Sequence, residues 1–410
     1  MIGRPVPPPL GSLRRATAAR AGAAHRASAY GIAERGGPLV ALEVPRRAAL
    51  PDDVVIDIDF CGLCHSDVHA GRGEWGARQL PLVPGHEIVG RVAAVGREVS
   101  GFAVGQRVGV GCLVDSCREC ASCREGLEQF CERGGVGTYG ALDRRTGEYT
   151  QGGYSSSIVV NQGYVLHVPE SLDPAAAAPL LCAGITTYSP LRHFGAGPGS
   201  GVGVVGLGGL GHMAVKLAKA LGASVTVFTT SASKVEAARA LGADTVVVSG
   251  DAEAMKPVRH TLDLVIDTVA APHSLDPYFA TLRRDGTLVQ LGLPGEPMPP
   301  VNPRPLLARR LRYTGSPIGG IAETQEMLDF CAEHAVAAEV EVVDAAGLNA
   351  AWDRMVAGDV RYRFVLDAST LPAPQTPAPP TSAPPTSAPQ TPAPPTSAPR
   401  TSAPQTPPAE

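Results

Sequence analysis

The sequence predicts an α/β chain, with a mostly β first region followed by a doubly wound parallel sheet, and three observations carry that reading. Alternating stretches such as Val54-Val55-Ile56-Asp57-Ile58-Asp59-Phe60, and glycine-bounded segments through Val110, read as short strands joined by turns. From about 172 onward, apolar runs alternate with alanine-rich helical stretches: Gly203–Val205, Ser224–Phe228, Thr245–Val248, Leu262–Ile266 and Thr287–Leu291. Such alternation marks βαβ units. Third, Gly206-Leu207-Gly208-Gly209-Leu210-Gly211 follows the strand-like Val202–Val205 and precedes the helical Met213–Leu221. After about 312 the pattern offers one helix, Ala322–His334, and strand-like pieces near Glu339–Val343 and Arg363–Leu366, which can rejoin the first region.

Composition bounds the function. The chain has 410 residues, 44% of them hydrophobic, enough to bury two cores. A net charge of −4 without long single-sign blocks leaves no footprint for nucleic acid or an anionic membrane. No run approaches the ~18 apolar residues of a membrane span, and the opening residues lack the apolar centre of a secretory signal. A cytoplasmic protein acting on small molecules is expected. Nine cysteines, four of them crowded between 117 and 131, point to reduced thiols and metal rather than a disulfide framework.

The two ends differ from the rest. Residues 1–27 hold five arginines, no acid and the run Pro7-Pro8-Pro9, and read as a disordered extension, although organellar transit peptides share this composition. Residues 370–410 form a Pro-rich tail that favours extended polyproline conformations, either solvated or a ligand for a proline-binding module.

Two sets of residues carry chemistry. Cys117-x2-Cys120-x2-Cys123-x7-Cys131 brings four thiols to one loop. Four thiolates close the coordination sphere of zinc, so this site is read as structural. The second set is dispersed: Cys64 in Cys-Gly-Leu-Cys-His-Ser-Asp-Val-His, His86 in Pro-Gly-His-Glu, and Cys182 in Leu-Leu-Cys-Ala-Gly. Spacing alone does not connect these three; Cys182 also fits a core cysteine and His86 a turn. The glycine run reads as a Rossmann dinucleotide turn. Gly206 permits the tight bend, Gly208 and Gly209 let backbone approach a pyrophosphate, and Gly211 lets helix pack on strand.

With those segments in view, residues from Tyr30 to about Ala368 resemble the zinc-containing medium-chain alcohol dehydrogenases, above all their cinnamyl-alcohol-dehydrogenase and bacterial aldehyde-reductase branch. The resemblance rests on Cys61–His69, Val83–Gly90, the four-cysteine lobe, Gly203–His212, Gly319–Phe330 and Asp359–Phe364, in that order. It implies a GroES-like partial β-barrel catalytic domain at 28–171 and 313–369, interrupted by a Rossmann domain at 172–312. The active site then lies in the cleft between them.

The family pattern implies Cys64, His86 and Cys182 as ligands of a catalytic zinc with an open fourth position, the Cys2His set known from alcohol dehydrogenases. Glu87 enters that shell transiently, and Asp67 accepts a hydrogen bond from His86. Ser66 and His69 relay the proton of the alcohol oxygen, and His65 lies beside the cofactor phosphates. His69 taken alone also fits a surface histidine. Ser231 and Lys234 match positions that hold the 2′-phosphate of NADP(H). The residues agree with that choice: no carboxylate stands between Ser224 and Glu236, where an NAD-binding fold places its ribose acid. Two zinc ions per chain and NADP(H) are therefore the expected cofactors. An aldehyde or alcohol is the expected substrate, and a homo-oligomer, with a dimer favoured, the expected assembly. Trp75 fits an aromatic wall of the substrate cleft or a core position. Cys61, Cys112 and Cys331 read as small buried side chains. Two other classes keep this pattern in part: a zinc-stabilised binding or regulatory protein without chemistry, and a structural protein displaying its proline-rich tail.

Overall fold

Strand Asp53–Gly62 organises the first domain because it carries partners on both sides. Ile88–Val95 pairs with it along one edge. Ser157–Asn161 takes the first half of its other edge and Arg363–Asp367 the second half. Its register against Ile88–Val95 slips between Val55 and Ile56 and again between Ile58 and Phe60. Such bulges bend and twist a strand, which lets the sheet curl into a partial barrel. Arg107–Val110 and Leu166–His167 extend the sheet at one end and Val340–Val343 at the other. Val54, Ile56 and Ile58 alternate inward and pack with Val92, Val108 and Phe364.

This computed structural model describes residues 23–372; most of the expected N-terminal extension and all but the first residues of the Pro-rich tail lie outside them. The extension ends earlier than expected. His25–Ile32 is a strand paired with Leu39–Arg46, and Ala27 is fully buried. The alternation of small apolar residues there was hidden by the arginines and alanines around it.

The second domain is a six-stranded parallel sheet. Gly201–Val205 and Leu262–Asp267 stand at its centre; Ser224–Thr229 and Thr245–Val248 lie on one side, Leu282–Gln290 and Arg312–Gly315 on the other. The strand order reverses at Gly201–Val205, the switch point where open α/β sheets bind ligands. All five expected strands are present. Val202 and Val204 face a core shared with Ala214 and Leu217 of helix Gly211–Ala220. Val205, Phe228 and Val265 fill the opposite face.

One boundary shifts. Arg312–Gly315 belongs to this sheet, so the cofactor sheet runs past 312. Helix Ile321–Glu333 packs against both regions: Met327, Leu328 and Cys331 form one helical face and are buried with Tyr188 of helix Ala183–His193, while Gln325 donates to the His167 carbonyl at 3.0 Å and accepts from its N–H at 2.8 Å. The strands of the chain rejoin the barrel sheet only at Val340–Val343 and Arg363–Asp367.

Candidate active site and structural metal site

Three separate elements deliver the dispersed ligand set. Cys64 immediately precedes helix His65–Arg72, Cys182 precedes helix Ala183–His193, and His86 leads into strand Ile88–Val95. One ligand atom each from Cys64, His86, Glu87 and Cys182 lie within 4.8 Å of one another. Both thiols sit at helix N-termini, where the backbone dipole favours a thiolate. The Cys182 thiol beside Cys64 draws it well below the usual thiol range, against burial. Cys182 in turn stands well above it, through its neighbours Cys112 and Cys64.

Asp67 holds this cluster in place. Its buried carboxylate accepts from Cys64 N at 3.0 Å, Gly85 N at 3.2 Å, the Tyr154 hydroxyl at 3.0 Å and His86 Nδ1 at 3.1 Å. That last bond turns His86 Nε2 toward the thiols. Burial opposes charge on His86, but Asp67 pushes its pKa well above the imidazole range.

Glu87 is fully buried, and its carboxylate meets the guanidinium of Arg363. Burial pushes Glu87 up to about 7, against the attraction of Arg363. A side chain at Gly62 would fall 1.9 Å from Glu87 Oε2, so the carboxylate occupies space that only glycine leaves. Arg363 reaches the other domain as well: a Cβ on Gly209 would lie 3.0 Å from its Nη1.

A cleft of about 810 Å³ joins these ligands to the glycine turn. Cys64, His86 and Cys182 line it, as do His65, Ser66 and His69. Cys64 Sγ lies 3.6 Å from Ser66 Oγ, so that hydroxyl adjoins the ligand set. His69 pairs with Glu74 through Nδ1 and stacks on Trp75, ring centroids 4.8 Å apart. Trp75 is thus a cleft wall.

At the far end of the cleft, Gly206 has φ +88°, and a Cβ there would press on Val269 and Thr268. A Cβ on Gly208 would meet nothing within 4 Å, so its backbone is open to a phosphate. Helix Gly211–Ala220 starts there without a side-chain cap, so the positive end of its dipole faces the turn. Lys234 lines the cleft and donates to the Leu207 carbonyl at 3.3 Å. Thr230 lines it too, whereas Ser231 stands beside it, its hydroxyl 2.7 Å from that of Ser233.

The four-cysteine lobe is a separate centre. Thiols of Cys117, Cys120, Cys123 and Cys131 lie within 4.8 Å of one another, and Cys117 Sγ is 3.9 Å from Cys123 Sγ. Tetrahedral zinc with Zn–S of ~2.3 Å requires about 3.8 Å between sulfurs, so the donors fit the ion. Backbone N–H groups of Cys117 and Cys120 donate to Cys131 Sγ and Cys117 Sγ, each at 3.4 Å. Those of Glu119 and Cys120 pull Cys117 down to about 6, and burial pushes Cys123 up to about 11.

Comparison with known proteins agrees with this geometry. The family described as "Alcohol dehydrogenase GroES-like domain" matches residues 50–170, and "Zinc-binding dehydrogenase" matches 209–333. NADP-dependent alcohol dehydrogenase C 1 of Mycolicibacterium smegmatis is 55% identical over 345 residues, 84% of this chain and 98% of that protein. The chain belongs to the zinc-dependent alcohol dehydrogenases. Aldehyde reductase YahK of Escherichia coli is 53% identical over 82% of this chain and 96% of its own length. A cinnamyl alcohol dehydrogenase structure from Sorghum bicolor superposes with a TM-score of 0.83 at 44% identity, covering 86% of this chain and all of that one.

Within this dehydrogenase the sequence reading missed several partners. Arg363 was legible only as an arginine inside the apolar run Arg-Phe-Val-Leu; it is 6% exposed. Tyr154 and Trp352, whose indole donates to the Tyr154 hydroxyl at 3.4 Å, support Asp67 from distant segments and left no local signal. Cys112 corrects an expectation: Cys61 and Cys331 are fully buried, but Cys112 lines the cleft beside Cys182. It ends up there because Gly111 and Cys112 follow strand Arg107–Val110 directly into the site.

Proposed function

We propose that this dehydrogenase interconverts aldehydes and primary alcohols with NADP(H), using zinc held by Cys64, His86 and Cys182. The observation that carries the reading is one continuous cleft with two thiols and an imidazole at one end and the dinucleotide turn at the other. Zinc bound there supplies a Lewis acid that polarises a carbonyl or stabilises an alkoxide. Asp67 orients His86 through Nδ1. Ser66 contacts the substrate oxygen and passes its proton toward His69, whose ring is steadied by Glu74 and Trp75. Glu87, paired with Arg363 beside these three, would offer the zinc a further carboxylate oxygen. His65 and the 206–211 turn take the cofactor phosphates. No helix among the described residues is long and apolar enough to cross a membrane. The cytoplasm suits nine unpaired cysteines, six of them in the two clusters. A homodimer is favoured by the cofactor sheet, whose outer strand Arg312–Gly315 is open at its edge with Tyr313 exposed.

The deciding assay follows NADPH consumption with benzaldehyde by fully zinc-loaded protein. Background rates across an aldehyde panel would instead favour the non-catalytic binding protein. Preference for NADPH is read from Thr230, Ser231 and Lys234, which offer hydroxyls and an ammonium to a 2′-phosphate. Ser231→Asp sets a carboxylate there and is expected to lower kcat/KM for NADPH on the order of tenfold more than for NADH. A wild-type kcat/KM for NADH equal to that for NADPH refutes this assignment.

A further inference from the structure

Segment Gly319–Phe330 belongs to the family pattern, yet no role in chemistry has been given to it. It begins with two glycines and continues as helix Ile321–Glu333, whose N-terminal residue Gly320 offers no side-chain cap. A helix start leaves backbone N–H groups that need partners. Here the partner comes from the four-cysteine lobe: Ile321 N donates to Glu128 Oε2 at 3.0 Å. Glu128 opens the short turn Glu128–Phe130 of the four-cysteine lobe, between Cys123 and Cys131. A carboxylate at this end of a thirteen-residue helix also opposes the positive end of its dipole.

The lobe is seated on the helix start by backbone as well. A Cβ on Gly320 would lie 1.8 Å from the Gly126 carbonyl oxygen and 2.7 Å from Glu128 Oε2. One on Gly319 would lie 2.5 Å from Glu323 Oε2 and from Ile185 Cδ1. Gly320 therefore packs directly on the lobe, Gly319 packs on Ile185 and on Glu323 of its own helix, and the hydrogen bond ties the helix start to Glu128. Immediately upstream, Ser316, Pro317 and Ile318 line the active-site cleft. The cleft wall is therefore fixed at its C-terminal end by a residue that touches neither substrate nor cofactor.

We propose that Glu128 is a positioning residue: by capping helix Ile321–Glu333 from the four-cysteine lobe, it holds the 316–318 wall of the cleft in register with the catalytic ligands. Integrity of the lobe is thereby linked to substrate affinity, in addition to stability. The inference rests on the aldehyde–alcohol reading, and wild-type turnover in the same assay separates failure of that reading from failure of this one.

The test compares Glu128→Ala, Glu128→Gln and Ile321→Pro. Proline is compatible with the first helical position and deletes the same hydrogen bond from its donor side, leaving the lobe untouched. Glu128→Ala and Ile321→Pro are each expected to raise KM for benzaldehyde about fivefold, the effect of one lost hydrogen bond, with kcat within about twofold. Both should retain two zinc ions per chain by elemental analysis. Glu128→Gln should stay within about twofold of wild type, because an amide oxygen still accepts. Lower Tm with unchanged KM in Ile321→Pro would make the contact merely structural and overturn the proposal. So would a Glu128→Gln variant as impaired in KM as Ile321→Pro. If Glu128→Ala loses zinc or fails to fold, Ile321→Pro and Glu128→Gln decide the matter alone.

Discussion

The two thiol centres of this chain are built in opposite ways. The lobe takes four cysteines from one loop between 117 and 131, at the edge of the domain, and its hydrogen bonds come mostly from its own backbone. The cluster proposed as catalytic takes Cys64, His86 and Cys182 from three separate elements, lining a cleft, and is held by Asp67, Tyr154 and Arg363 from still others. A closed set of four thiolates has one use, which is to hold a loop together. Two thiols and an imidazole leave a position open toward the cofactor, so reactivity comes with the site that the fold has to assemble.

Removing a ligand from each centre should separate these roles. The largest effect is expected for Cys64→Ser: kcat falls on the order of 1,000-fold or more while Tm stays near wild type and one zinc per chain remains. Turnover above about a tenth of wild type would show that the open site is not where chemistry happens. Cys120→Ser should do the reverse, lowering Tm on the order of 10 °C with kcat of the folded fraction little changed, because structural zinc contributes directly to folding. Normal stability with selective loss of kcat would exchange the two assignments. The smallest effect sharpens the contrast in support. Asp67→Asn should weaken the catalytic zinc about 10–100-fold in chelator competition and leave the lobe's zinc unmoved. Loss of both ions together would mean that the centres are not independent.

The same contrast explains what could be read in advance. Cysteines at short spacing within one loop can converge without help from the rest of the fold, so Cys117, Cys120, Cys123 and Cys131 were legible as a site from spacing alone. The glycine turn was equally legible, because each glycine answers a local demand: a positive φ at Gly206 and an open face at Gly208. His86 and Cys182 joined Cys64 only through family resemblance, since nothing in their local sequence separates a ligand from a core residue. Helix Ile321–Glu333 was recognised as a helix, but its period shows an apolar face and cannot show what that face meets.

By itself the sequence determined the five strands expected of the cofactor sheet, the glycine turn, the four-thiol lobe and the absence of an acid before Glu236, all set by neighbours within one element. Tertiary structure alone decided that Arg363 meets Glu87 beside Gly209, that Cys112 opens onto the cleft, and that Glu128 of the four-cysteine lobe caps helix Ile321–Glu333. These are single contacts between residues far apart in the chain. A buried carboxylate, an arginine in a strand or an uncapped helix start each announces that it needs a partner, but only tertiary packing brings that partner to within about 3 Å.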